Sequence, residues 1–170
     1  MNNFSDSSTP LFLPPILDLR GEREPVLSLL YSIFCEDFKK KEVFCNCIKV
    51  VYDNQIKQDG EDKEEGFWHI ITKDYNGERL IDFKRAEKLP WAKPLLCNIN
   101  DSTVKHWRYN EGAKNKGIRF YIWLENHNYV IILQEKHKRN SLPCLFLITG
   151  FHVEEKKREE LYKKYNKRIT

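Results

Sequence analysis

Histidine is the one side chain whose ordinary titration falls near neutral pH, so proton-transfer chemistry in this chain is first sought at His69, His106, His127, His137 and His152. His69 stands between Trp68 and Ile70 on an apolar segment, where a lone histidine is more often a hydrogen-bonded core or turn residue. His127 falls in a short Asn-flanked turn, His137 in a basic loop and His106 on an exposed strand candidate, so solvated positions are their default. His152 closes an apolar strand candidate that also carries Thr149. If that strand is regular, Thr149 shares its face with Phe151 and Val153 while His152 looks the other way, unless Gly150 makes a bulge and re-aims them. Thr149 ranks first of the two, although a strand threonine commonly just bonds locally. Arg119, Tyr121 and Trp123 share one face of another strand and offer a charge and two rings suited to stacking a base. A face covered by a helix, with Arg119 at its edge, is the competing account. Arg85, beside Lys84 and Lys88, is open to two readings, an anion ligand or an exposed charge paired with Glu87.

Metal chemistry finds little support. The cysteines Cys35, Cys45, Cys47, Cys97 and Cys144 are scattered, and the one close pair, Cys45-x-Cys47, has no second pair to complete four ligands. No metal and no cofactor is expected.

A chain of 170 residues can bury a core without disulfides, and an apolar share of 41% with 13% aromatics argues for a folded domain rather than disorder. Met1 to Pro10 is polar and Leu11 to Leu13 is cut off by Pro14 and Pro15, so no secretory signal is read, and no run approaches a membrane span. The expectation is a soluble, cytoplasmic protein with no membrane partner. The net charge of +4 permits a polyanionic partner without demanding one. Residues 59 to 65 form an acidic linker, and the basic residues concentrate at Lys136 to Arg139 and Lys156 to Arg168. The C-terminal glutamates, Glu154, Glu155, Glu159 and Glu160, favour a solvated helix there over an RNA-steering one.

The fold class these patterns predict is α+β, with an N-terminal helical segment, a four-stranded antiparallel sheet and a C-terminal helix. Residues 1 to 15 form a lead-in, and a helix starts near Pro25 on Val26, Leu29, Leu30, Ile33, Phe34 and Phe38, closed by Lys39 to Lys41. Glu42 to Tyr52 reads as one strand. The apolar run Phe67 to Thr72 favours a strand or buried turn over a helix, before a turn at Asn76-Gly77. A helix is predicted over Ile81 to Leu89, with Pro90 and Pro94 limiting regular structure after it. Strands over Val104 to Asn110, Ile118 to Glu125 and Tyr129 to Glu135 make a meander. A fourth, Cys144 to Val153, is apolar enough for a central, twice-covered position. The chain ends in a helix burying Leu161, Tyr162, Tyr165 and Ile169.

Four motifs in this order carry a resemblance: residues 66–72 (GFWHIIT), 81–91 (IDFKRAEKLPW), 121–124 (YIWL) and 147–152 (LITGFH). Over roughly 100 residues the chain resembles a phage-associated nuclease family of the barnase, EndoU, colicin and RelE-like (BECR) fold group. The resemblance implies a nuclease core over residues 66–170, with residues 1–65 as a helix and strand extension packed on it. It implies a metal-independent ribonuclease acting through 2′-OH attack to leave a cyclic phosphate. His69 would be its acid/base group, Arg85 its phosphate ligand and Thr149 the hydroxyl completing the site; from the strand faces read above, Arg119, Tyr121, Trp123 and His152 are the expected substrate-binding residues. RNA, tRNA included, would be the partner, and such a phage or toxin-type effector calls for a neutralising protein. The rival accounts are a catalytically silent RNA-binding or protein-interaction module on the same fold, and a phage structural accessory.

Overall fold

The computed structural model describes residues 9–59, 61–112, 117–137 and 141–169. The lead-in through residue 8, Gly60, the loop residues 113–116, the basic-turn residues 138–140 and Thr170 lie outside them. Helix α1 (Arg23–Phe34) opens with Pro25 in its first turn, where no backbone N–H is lost, and runs on into a single π turn, Cys35–Lys39. It buries Val26, Leu27, Leu30 and Phe34, and Phe38 continues the stripe, whereas Leu29 faces outward.

The single strand expected over Glu42 to Tyr52 is instead a tight hairpin, β1 (Val43–Cys45) and β2 (Ile48–Val51). Both turn residues, Asn46 and Cys47, take positive φ, the mirror-image turn that matches strand twist, without the glycine that normally announces it. The run Phe67 to Thr72, expected as strand or buried turn, is helix α2 (Glu65–Ile71). Strands β3 (Thr72–Tyr75) and β4 (Glu78–Ile81) follow as a separate hairpin around Asn76-Gly77, both at positive φ as that dipeptide predicts. Ile81 therefore closes a strand, and the predicted helix shrinks to α3 (Phe83–Ala86), N-capped by Asp82. Pro90 and Pro94 do not stop regular structure. They lie in the first turns of a 3-10 segment, Leu89–Trp91, and of α4 (Ala92–Cys97).

The four predicted strands appear as β5 (Lys105–Asn110), β6 (Ile118–Leu124), β7 (Tyr129–Lys136) and β8 (Cys144–His152), followed by α5 (Glu155–Asn166). They form an antiparallel meander, but the sheet has six strands, in the order β1-β2-β8-β7-β6-β5. The extra pair comes from the N-terminal hairpin, with β2 parallel to β8 through Lys49–Cys144, Val50–Leu145 and Val51–Phe146. The residue 65/66 boundary falls at the first turn of α2, and the stretches on either side share one sheet and one core. On β8, Leu145 and Leu147 are buried while Phe146 and Ile148 remain partly exposed, so this central strand is covered on one face rather than two there.

The main core lies between one sheet face and α1, α2 and α4. A second cluster on the other face joins Trp107, Tyr121, Trp123 and Val130 to Leu161 of α5. Ile169, expected in the α5 stripe, is 45% exposed and instead donates its N–H to the Arg108 carbonyl at 2.9 Å. No helix among the described residues is long and apolar enough to cross a membrane.

Gly66 seats α2 against the strand β2 exit. Its N–H donates to the Asp53 carbonyl at 2.8 Å, and a Cβ there would stand 2.8 and 2.9 Å from the Tyr52 side chain and 3.0 Å from Asp53 O. A Cβ favours a helix by about 1 kcal/mol, but neither the Tyr52 Cβ nor a backbone oxygen can swing aside. Gly66→Ala is therefore expected to lower stability by about 1–3 kcal/mol, read as an earlier urea midpoint at unchanged slope.

Candidate active site

A helix of seven residues leaves most of its carbonyls without intrahelical donors, and those at the end of α2 find partners elsewhere in the chain. Thr72 meets the Trp68 carbonyl through Oγ1 at 2.6 Å, and the Asp82 N–H meets Ile71 O at 3.0 Å. The His69 carbonyl collects two donors from distant parts of the chain. Thr149 Oγ1 donates to it at 2.9 Å and Arg85 Nη1 at 3.2 Å, and the same Nη1 lies 3.3 Å from Thr149 Oγ1. A cation at a helix C-terminus is also favoured by the helix dipole. Folding thus gathers His69, Arg85 and Thr149 at one spot, and all three line one cleft of about 310 Å³ with Arg79 and Lys73.

Each group has a distinct state there. The His69 ring is half exposed, and its partial burial lowers its pKa below the ordinary 6.5, opposed by the Glu65 carboxylate. Arg85 is half-buried with its guanidinium 5.5 Å from the Phe151 ring, and burial pulls its pKa down. Its side-chain acceptors are a carbonyl and a hydroxyl, and its buried Nε has no partner. Thr149 spends its only proton on His69 O, so it braces the guanidinium rather than donating into the cleft.

Glu65, which the acidic linker had seemed to leave in solvent, is fully buried. Arg79 grips it with two bonds, Nη1 to Oε1 at 3.0 Å and Nη2 to Oε2 at 2.9 Å, and Lys57 adds a third at 2.9 Å. These hold its carboxyl at about 2. His69 Nε2 stands 3.7 Å from Oε2, one helical turn on. With the ring half exposed, that contact is worth about 1 kcal/mol at most and biases the ring's orientation rather than locking it. Glu64 is buried too, accepting from Tyr31 OH at 2.8 Å and paired with Lys39 at 2.5 Å.

The bulge on β8 is real but displaced. The register shifts between Ile132 and Leu133, leaving Ile148 rather than Gly150 as the extra residue. Gly150 serves a different purpose, since a Cβ there would lie 2.7 Å from Tyr129 OH. His152 pairs with Tyr129 and lines an adjoining cavity that shares Arg85 and Lys73 with the first. The stacking surface expected from Tyr121 and Trp123 is not available. They are 2% and 0% exposed beneath α5, with Tyr121 stacked on Trp107 at 5.0 Å and Trp123 edge-on to Tyr162 at 5.0 Å. Arg119 sits at the margin of that covered face with Nη1 buried and without a hydrogen-bond partner among the described residues. His127 packs edge-on against Trp91, His106 against Phe120, and His137 is exposed, none of them at the cleft.

Arg79, Glu65 and Lys88 are the functional candidates the sequence did not mark. Reading 65–71 as a helix would have exposed the Glu65–His69 spacing, and Lys88 lies three residues past Arg85. Compared with known proteins, the chain matches no family, no curated protein and no solved structure.

The Glu65 shift is downward, so its contribution to stability is complete above its unfolded value of 4.5 and disappears as pH falls through about 2. Glu65→Gln is expected to lower stability at pH 7 by about 2 kcal/mol. The gap between wild type and variant in urea midpoint should narrow from pH 4.5 downward, and a constant gap would contradict the assigned ion pair.

Proposed function

We propose that the chain is a metal-independent endoribonuclease of the BECR type, cleaving RNA through attack of a ribose 2′-OH on its neighbouring phosphate. The observation that carries this reading is the Arg85 guanidinium, presented at a cleft beside an imidazole and held by uncharged acceptors, so its charge is left for a ligand. A cation intended only for structure would be neutralised, as Arg79 is by Glu65.

His69, neutral at physiological pH because its pKa is lowered, takes the 2′-OH proton as the O2′–P bond forms. Arg85 offers a planar fork to the non-bridging oxygens, where negative charge grows as the P–O5′ bond breaks. The departing 5′ oxygen takes a proton from solvent, and His69 returns its own to solvent afterwards. Thr149 holds Arg85 in place, while Lys73 and Asp74 line the rim with opposite charges and Arg79 is spent on Glu65, so Arg85 is the cation left to meet the phosphate. The products carry a 2′,3′-cyclic phosphate and a 5′-OH. RNA, with tRNA among its forms, is the substrate class, and an intracellular enzyme of this kind calls for a neutralising protein in its host.

The test is incubation of the purified protein with total RNA in EDTA. Fragments ending in cyclic phosphate are expected, with His69→Ala slower by about 10²–10⁴-fold. Arg85→Lys should also be slowed, since it keeps the charge but loses the fork. RNA left intact but still bound would favour the catalytically silent binding module instead.

The pH profile gives a second check. The rising limb of kcat/KM should lie below pH 6.5 because the folded His69 pKa is depressed, and Glu65→Gln should move it lower still by removing the carboxylate that opposes the shift. A limb above 6.5, or one moved upward by the substitution, would remove His69 as the base.

A further inference from the structure

Arg85 and Lys73 form the divide between two adjoining cavities, and the second, of about 280 Å³, is not used by the chemistry above. Its notable member is His152, whose Nδ1 lies 2.9 Å from the ammonium of Lys88. Lys88 is only 7% exposed, and its other acceptor is the His127 carbonyl at 3.1 Å. An ammonium has only hydrogens to offer, so Nδ1 accepts and the single ring proton resides on Nε2. Burial, with the nearby charges of Lys88 and Lys84, lowers the His152 pKa and keeps the ring neutral. His152 is thus a fixed N–H donor rather than a base. It stands over a buried cation whose partners are uncharged, an arrangement that is costly unless an anion approaches.

The other lining charges are mixed: Lys73 and Arg85 stand against Asp82 and Glu154, and Lys157 is paired with Glu160 at 2.6 Å, so the N–H of His152 and the guanidinium are the groups that favour an anion. The Phe151 ring in this cavity has the Arg85 guanidinium 5.5 Å from its centroid, and the His152 ring is tied to Lys88 through Nδ1. The cavity therefore suits an oxyanion more than a nucleobase.

We propose that this second cavity is a subsite for the phosphate adjacent to the scissile one on the same RNA strand, held by His152 Nε2–H and the Arg85 guanidinium. The subsite rests on the ribonuclease reading and gives it a substrate requirement, two consecutive phosphates bridged by the guanidinium they share. Lys88 is a positioning residue, acting through the tautomer of His152.

The experiment measures binding of uncleavable 2′-deoxy dinucleotides and trinucleotides, carrying one and two phosphates, at low ionic strength. The wild type should prefer the longer ligand by about tenfold. His152→Ala and Lys88→Met should each weaken trinucleotide binding about tenfold more than dinucleotide binding, whereas Arg85→Ala should weaken both. Lys88 is buried, so its variant is used only if its melting curve is cooperative; the half-buried His152 carries the test otherwise. Equal wild-type affinity for both lengths, or equal weakening of both by His152→Ala, would overturn the subsite while leaving the scissile site standing. No binding of either ligand, together with intact RNA in EDTA, would overturn the ribonuclease reading and the subsite with it.

Discussion

The carbonyl oxygen of His69 belongs to a helix too short to satisfy its own C-terminal end, and it is placed where solvent does not reach its neighbours. The chain answers with Thr149 from β8 and Arg85 from α3, two donors on one acceptor. The side-chain arrangement follows from that backbone requirement. The guanidinium is fixed by a structural need at one edge and left open at the other, and the imidazole of the same residue that supplies the acceptor turns outward into the cleft. Stability and the shape of the cleft thus draw on a single main-chain atom.

Charge is sorted around this point in two ways. Arg79, Lys57 and Lys39 are matched to buried carboxylates, so their positive charges vanish from the local field. Arg85 and Lys88 are given carbonyls, a hydroxyl and an imidazole nitrogen, all neutral, so theirs remain. Both groups have pKa values lowered chiefly by burial, a shift that the nearby carboxylates of Asp82 at Arg85 and Glu87 at Lys88 oppose without reversing. Such an arrangement is unfavourable in isolation and becomes favourable when a polyanion supplies the missing partner.

What could be read from the sequence was what local pattern encodes. Strands β5 to β8 were legible because their length and alternation leave no other period, and the Asn76-Gly77 turn because its residues accept positive φ. Helix α2 was not. Its residues Phe67, Trp68, Ile70 and Ile71 are buried on all sides, so no polar face marks a helical repeat. Glu64 and Glu65 looked like a solvated run because their partners, Lys39 and Arg79, lie 25 and 14 residues away. The hairpin at Asn46-Cys47 hid for want of a glycine. Tyr121 and Trp123 were correctly placed on one face, yet which helix would land on that face is decided by α5, some forty residues later. Of the candidate cleft, His69, Arg85 and Thr149 were named by the resemblance, and the structure brings the three to one spot. Their geometry, and Thr149's service to Arg85 rather than to a ligand, depends on contacts that no local window contains.

The parallel pairing of β2 with β8 joins residues about a hundred positions apart, and the Thr149–His69 bond spans 80. During synthesis at about 5–20 residues per second, His69 and Arg85 leave the ribosome several seconds before the strand that completes their surroundings. Until β8 inserts, α2 has neither the sheet it packs on nor the donor from Thr149, and the guanidinium has no hydroxyl brace. The cleft is therefore completed only after β8 has emerged and paired, a delay written into strand order.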